Sequence, residues 1–185
     1  MRVISGIRKG HKLKTPKNKK IRPTADNIKE SLFNILGPIE DNSVILDLFG
    51  GTGAIGIEFL SRGANKCYFV DISQQSISII EENLIYTKLM DKATILKTHG
   101  VKAIEYISNE NIVFDYIYLD PPYKEHKLLY SVLESIEKGS ILNKDGTIII
   151  EHTNNLTLEE IYRFKKIDYR RYGNKSISFY KYNFK

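Results

Sequence analysis

Short apolar runs recur along this chain with helix-patterned stretches between them, and that alternation constrains the fold more than any other feature. Strand-like runs span Val44 to Leu48, Lys66 to Val70, Thr94 to Lys97, Phe114 to Leu119 and Thr147 to Ile150. Between them lie segments with helical spacing. Ile28, Leu32, Ile35 and Leu36 follow Thr24, a residue suited to capping a helix, and Gly37-Pro38 closes that segment. Further helices are predicted through Phe59 and Leu60, from Ser76 to Leu84, from Val101 to Ile107 and from Leu128 to Ile136. Arg2 to Thr15, broken by Gly6 and Gly10, reads as a short hairpin or arm. Ile161 to Phe184 reads as strands rich in Tyr, Phe and Ile. Alternation of this kind predicts an α/β fold with a doubly wound, mostly parallel, Rossmann-like sheet. The expected division is a basic N-terminal arm at 1–23 and one α/β domain at 24–185. In such sheets ligands bind beyond the carboxyl ends of the strands. Asp47, Asp71, His99, Asp120 and Glu151 each follow or close a predicted strand, so they are expected on one edge.

The glycine-rich stretch Asp47-Leu48-Phe49-Gly50-Gly51-Thr52-Gly53-Ala54-Ile55-Gly56 falls between the first strand and its helix. Glycine permits positive φ and close approach of a ligand to the main chain. Gly51, Gly53 and Gly56 match the spacing of a dinucleotide-binding loop, with Asp71 placed to bind ribose hydroxyls. That pattern alone fits NAD as well as S-adenosylmethionine. Asp47 favours the second, because an acid there suits a cationic ammonium better than a pyrophosphate. A tight packing turn without a cofactor is the bland alternative.

The fourth strand ends in Asp120-Pro121-Pro122-Tyr123. Proline fixes φ and removes a donor, so the strand must stop there. A strand-ending turn needs only one proline. Two rigid residues between a carboxylate and a ring suit a different task. The exocyclic amine of a nucleobase is a poor nucleophile and must be aligned with the methyl it receives. Asp120 and the Pro121 carbonyl would accept its hydrogen bonds, Pro121-Pro122 would fix their aim, and Tyr123 would stack on the base. This chemistry needs no metal, and DPPY has no evident use in hydride transfer.

Charge is distributed unevenly over the 185 residues, whose net value is +6. Residues 1–22 carry nine Lys/Arg and no acid, residues 161–185 carry eight and one acid, and the middle is acidic. Basic ends around an acidic middle predict an anionic partner, nucleic acid above all. A solvated basic tail is the competing view. Hydrophobic residues make up 42%, enough for a substantial core. Cys67 is the only cysteine, which excludes an internal disulfide, and it is expected in the core. MRVISGIRKGHK lacks the apolar stretch of a secretory signal, so a cytoplasmic protein without a membrane span is expected.

These stretches together resemble the bacterial small-subunit ribosomal RNA guanine-N2 methyltransferases over nearly the whole chain. RVISGIRKGHKLKTP resembles the family's basic arm and IRPTADNIKESLFNIL its most distinctive helix. DLFGGTGAIGIEFLSRGA, FVDIS, DPPY and IIIEH follow in the family's order. The resemblance implies a class I S-adenosylmethionine-dependent methyltransferase fold, that donor as cofactor, no metal, and N2 of one guanine as acceptor. Free small-subunit RNA or the assembling small subunit is the implied partner, and a monomer is expected. The donor's methionine part falls to Phe49, Gly50, Gly51, Thr52 and Gly53, with Asp47 nearby. Its ribose falls to Asp71, with Ile72 beside it; His99 and Gly100 are further cofactor candidates, a neutral His99 being able to accept from the adenine amine, with an ordinary exposed surface His as the alternative. The family often has Ala at Gly50, Ser at Thr52, Glu at Asp71, and Asp or Asn where this chain has His99. An amine methyltransferase for adenine N6 or protein glutamine is the alternative enzyme. A non-catalytic nucleotide- or RNA-binding module is a third class.

Overall fold

The computed structural model describes residues 1–16, 26–122, 125–156 and 161–183. Tyr123 and Thr24, both singled out above, lie outside these. The chain divides into two compact units, Met1–Thr98 and His99–Lys185.

In the first unit, β1 (Val44–Leu48), β2 (Lys66–Asp71) and β3 (Ala93–Lys97) pair in parallel in the order β3-β2-β1. Ile45, Leu46 and Leu48 are wholly buried, as expected for a strand covered on both faces. Cys67 is also buried in β2. Helix α1 (Asp26–Leu36) buries Ile28, Leu32 and Phe33. It stops where Gly37, at φ 73°, donates its N–H to the Phe33 carbonyl. Helix α2 (Ala54–Ser61) follows the glycine loop and is buried along its entire length, including Glu58. Helix α3 (Gln74–Thr87) starts where the Ser73 hydroxyl accepts the Ser76 N–H.

The expected N-terminal hairpin is present: Arg2 and Lys12 form an antiparallel bridge, and Val3 and Leu13 are buried. It packs against α2. A Cβ added to Gly6 would stand 1.8 Å from the Ser61 carbonyl oxygen, and Gly6 has φ 81°. Close approach and a left-handed backbone both require glycine at this point.

In the second unit, β4 (Phe114–Leu119), β5 (Leu142–Thr153), β6 (Phe164–Tyr172) and β7 (Lys175–Tyr182) take the order β4-β5-β7-β6. β4 and β5 are parallel, and the closing β6–β7 hairpin is antiparallel. Helices α4 (Gly100–Asn109) and α5 (His126–Gly139) complete it. The structure corrects both ends of one predicted strand. β5 starts five residues before the predicted Thr147, because Leu142 pairs with Phe114 and the register then shifts by a bulge around the exposed Asn143-Lys144-Asp145. It also runs past Ile150, because Glu151, His152 and Thr153 pair with Ile177, Ser176 and Lys175 of β7.

Candidate functional site

In the first unit the loop after β1 is held at several points. The Gly50 N–H bonds to the Val70 carbonyl at 2.9 Å, fixing the loop to β2. The Gly53 N–H bonds back to the Gly50 carbonyl at 2.7 Å. Phe49, Gly51 and Gly53 have φ of 70°, 57° and 75°. Glycine adopts these values freely; Phe49 does so at some cost, of the kind found where a backbone is shaped for a ligand. Asp71, half-buried at the end of β2, accepts the Gly51 N–H at 2.9 Å on Oδ2 and the Ser73 N–H at 2.8 Å on Oδ1. Its carboxylate is thereby locked in place, and each oxygen keeps a second lone pair. Ile72 beside it is exposed. Thr52 is buried, with its hydroxyl 4.0 Å from the Met1 sulfur.

Asp47 departs from the picture of a carboxylate at a strand end. It is the fourth residue of β1, only 2% exposed, and its Oδ2 accepts the Gly56 N–H at 3.0 Å. It therefore ties α2 to β1 from beneath the loop. Burial raises its pKa to about 7; the Gly56 bond works against this rise and the nearby Asp71 adds to it.

The second unit holds the remaining predicted residues. His99 is exposed and precedes α4; its carbonyl accepts the Ala103 N–H, and its ring makes no capping bond. Gly100 is the buried first residue of that helix. Asp120 is half-buried immediately after β4, Pro121 is buried and Pro122 exposed. The Pro122 carbonyl accepts the Glu125 N–H at 2.9 Å, which leads the chain into α5. Pro121 and Pro122 line a small cleft with Glu125, His126, Leu129, Glu151, His152, Thr153 and Leu156.

Two of the lining residues, Glu151 and His152, have hydrogen-bonded side chains. Glu151 is fully buried and takes hydrogen bonds from the Tyr118 hydroxyl at 2.7 Å and from the Lys175 ammonium. It lies inside β5 rather than at a strand end. His152 Nδ1 lies 2.9 Å from the Thr153 carbonyl, which fixes the proton on Nδ1 and leaves Nε2 to accept from the Ser178 hydroxyl at 2.8 Å. Burial lowers the His152 pKa, keeping the ring neutral. Sequence reasoning gave no role to His152, Lys175 or Tyr118, although His152 lies in the IIIEH stretch. Among the described residues no group of three or more His, Cys, Asp or Glu is placed to hold a metal ion. No helix among them is long and apolar enough to cross a membrane.

A glycine loop after the first strand, an acid ending the second and Asp-Pro-Pro ending the fourth belong together in the class I methyltransferase fold. A solved methyltransferase-like structure, YhhF from Escherichia coli, shares this fold at a TM-score of 0.85, with 23% identity over 100% of this chain and 99% of that one. A conserved hypothetical protein from Streptococcus pyogenes matches at a TM-score of 0.76, with 28% identity over 82% of this chain and 93% of its own. The family model described as Conserved hypothetical protein 95 matches residues 1–181, and the chain belongs to that family. YlbH of Bacillus subtilis, provisionally named an rRNA methyltransferase, is 41% identical over 86% of each chain. A protein of Buchnera aphidicola named ribosomal RNA small subunit methyltransferase D is 32% identical over 94% of this chain and 92% of its own.

Proposed function

We propose that this chain methylates small-subunit ribosomal RNA, moving a methyl group from S-adenosylmethionine to the exocyclic N2 amine of one guanine. The names of its relatives support an rRNA methyltransferase; the donor and the guanine amine are our reading of the residues. The observation that carries the donor half is Asp71, locked by the Gly51 and Ser73 N–H groups beside a loop of left-handed residues. A fixed carboxylate with lone pairs to spare suits two vicinal ribose hydroxyls. The main chain of Phe49 to Gly53 would hold the methionine part, with Asp47 beneath it, and Ile72, His99 and Gly100 would border the adenine. When bound, S-adenosylmethionine supplies an electrophilic methyl together with its own leaving group, so no metal has a part in this scheme.

The residues at the end of β4 would handle the acceptor. The Asp120 carboxylate and Pro121 carbonyl take hydrogen bonds from the guanine amine and orient its nitrogen. Pro121-Pro122 removes the freedom that would blur that aim. Tyr123 offers a ring for stacking. Catalysis in this scheme is mostly positioning. The acting species is a cytoplasmic monomer, working on free RNA or on the assembling small subunit.

Calorimetry and single-turnover methylation of Asp120→Ala test the assignment of roles. We expect S-adenosylhomocysteine affinity close to the parent's and a methyl-transfer rate lower by about 10²- to 10³-fold, the loss typical of one well-placed polar contact. Tyr123→Phe should be mild and Tyr123→Ala severe. Equal loss in both would mean that the hydroxyl, not the ring face, matters. Tight binding of NAD in place of S-adenosylhomocysteine would overturn the donor assignment.

A further inference from the structure

The side-chain amide of Asn83, buried on α3, joins two segments far apart in sequence. Its Oδ1 accepts the Lys14 N–H at 2.7 Å. Its Nδ2 donates to the Lys14 carbonyl at 3.1 Å and to the Thr52 carbonyl at 2.9 Å. The flipped amide would face two carbonyl oxygens with its own oxygen, so the network fixes its orientation. Both Nδ2 hydrogens are committed, one to the hairpin and one to the glycine loop. Thr52 meets the hairpin a second time at Met1, whose sulfur lies 4.0 Å from its hydroxyl. The peptide so held lies between Gly51, which bonds Asp71, and Gly53, which opens α2 at φ 75°. Lys14 itself is exposed and belongs to the stretch with nine cations and no acid.

We propose that Asn83 is a positioning residue coupling the basic hairpin to the glycine loop, so that RNA gripped by the hairpin and methyl donor held by the loop bind cooperatively. The inference rests on the donor and RNA assignments made above. RNA phosphates that fix the hairpin also fix Lys14, and through the shared amide they fix the Thr52 carbonyl. The loop then loses less freedom when the donor arrives. Linkage makes the effect reciprocal: donor must tighten RNA by the factor by which RNA tightens donor.

The test is S-adenosylhomocysteine affinity with and without saturating small-subunit ribosomal RNA, together with hydrogen exchange at residues 49–56 in the ligand-free protein. The parent should gain at least about fivefold in affinity when RNA is present, the lower end of ordinary coupling. Asn83→Asp keeps the acceptor for the Lys14 N–H but faces both carbonyls with oxygen. It should speed exchange in the loop and reduce the gain to less than about twofold. Because a buried substitution can also weaken the fold, Lys14→Pro is read against Lys14→Ala on the exposed hairpin. Both remove the same charge, and only proline removes the N–H that Asn83 accepts. Proline should abolish the gain and alanine should keep it. No RNA-dependent gain in the parent, or equal gains in the two Lys14 variants, overturns the coupling. Failure of the parent to bind S-adenosylhomocysteine at all overturns the donor assignment instead.

Discussion

Asp47 shows what burial does to one carboxylate. Its ordinary value of 3.8 is raised to about 7 in the folded chain, chiefly by desolvation. A raised acid holds its proton more tightly when folded, so its protonated form is favoured there. Its burden on stability is absent below pH 4 and grows as pH rises toward 7. At 1.36 kcal/mol per pH unit that burden is on the order of 4 kcal/mol. Denaturant titrations at pH 5 and pH 8 should show the parent losing stability with rising pH and Asp47→Asn losing much less. The same carboxylate distinguishes the two cofactors its loop could suggest. A cationic ammonium nearby draws Asp47 to its charged form, so binding of S-adenosylhomocysteine near pH 7 should release protons. A pyrophosphate would drive proton uptake. Calorimetry in buffers of different ionisation enthalpy reads the sign directly. Gly56 shows the other constraint at this scale. A Cβ there would stand 2.3 Å from the Phe69 ring and 2.6 Å from the Cys67 sulfur, so Gly56→Ala should lower stability by about 1–3 kcal/mol in a melt. The glycine spacing was legible in the sequence. The inward direction of Asp47 was not, because strand-end position alone does not say which face a side chain takes.

At the scale of elements, α2 carries an unusual burden. Its fully buried Glu58 receives the Ile4 N–H at 2.8 Å, the Ser5 N–H at 3.0 Å, the Lys29 ammonium at 3.3 Å and the Arg62 guanidinium at 2.9 Å. Lys29 also donates to the Arg2 carbonyl, and burial lowers its pKa despite the neighbouring acid. One carboxylate thus joins α1, α2 and the hairpin. Glu58→Ala would leave the buried Lys29 without its anion, and we expect a loss of about 3–5 kcal/mol in denaturant titration. A loss below about 1 kcal/mol would mean that the network contributes little. Strand and helix positions were readable wherever apolar runs were continuous: β1 and β4 match their predicted bounds. β5 was misread because its continuous apolar run covers only Thr147 to Ile150 and the polar Glu151-His152 looks like a strand end. The bulge opposite β4 and the pairing with β7 are tertiary facts that no local pattern carries. A lone acid in AIGIEFLS was the one sequence trace of the Glu58 network, and only the docked hairpin gives it meaning.

For the whole molecule, the charge pattern predicts how RNA is gripped. Cations that neutralise phosphates displace counterions, so affinity falls with salt, with a slope set by how many phosphates are neutralised. Replacing Lys12, Lys14, Lys17, Lys19 and Lys20 together by Ser should flatten that slope by roughly 0.7–0.9 for each phosphate left without its cation. RNA affinity should fall, and methylation should recover partly at high RNA concentration. Donor affinity measured without RNA should hold, because the bonds that tie the hairpin to the loop use the Lys14 main chain rather than its ammonium. An unchanged slope would leave the basic end as a solvated tail. What receives the methyl group is decided by incubating the purified chain with labelled S-adenosylmethionine and small-subunit ribosomal RNA, then separating the nucleosides. Label should appear in N2-methylguanosine at a single position and be absent with Asp120→Ala. Label in N6-methyladenosine or in protein, or none in RNA, would contradict the guanine assignment.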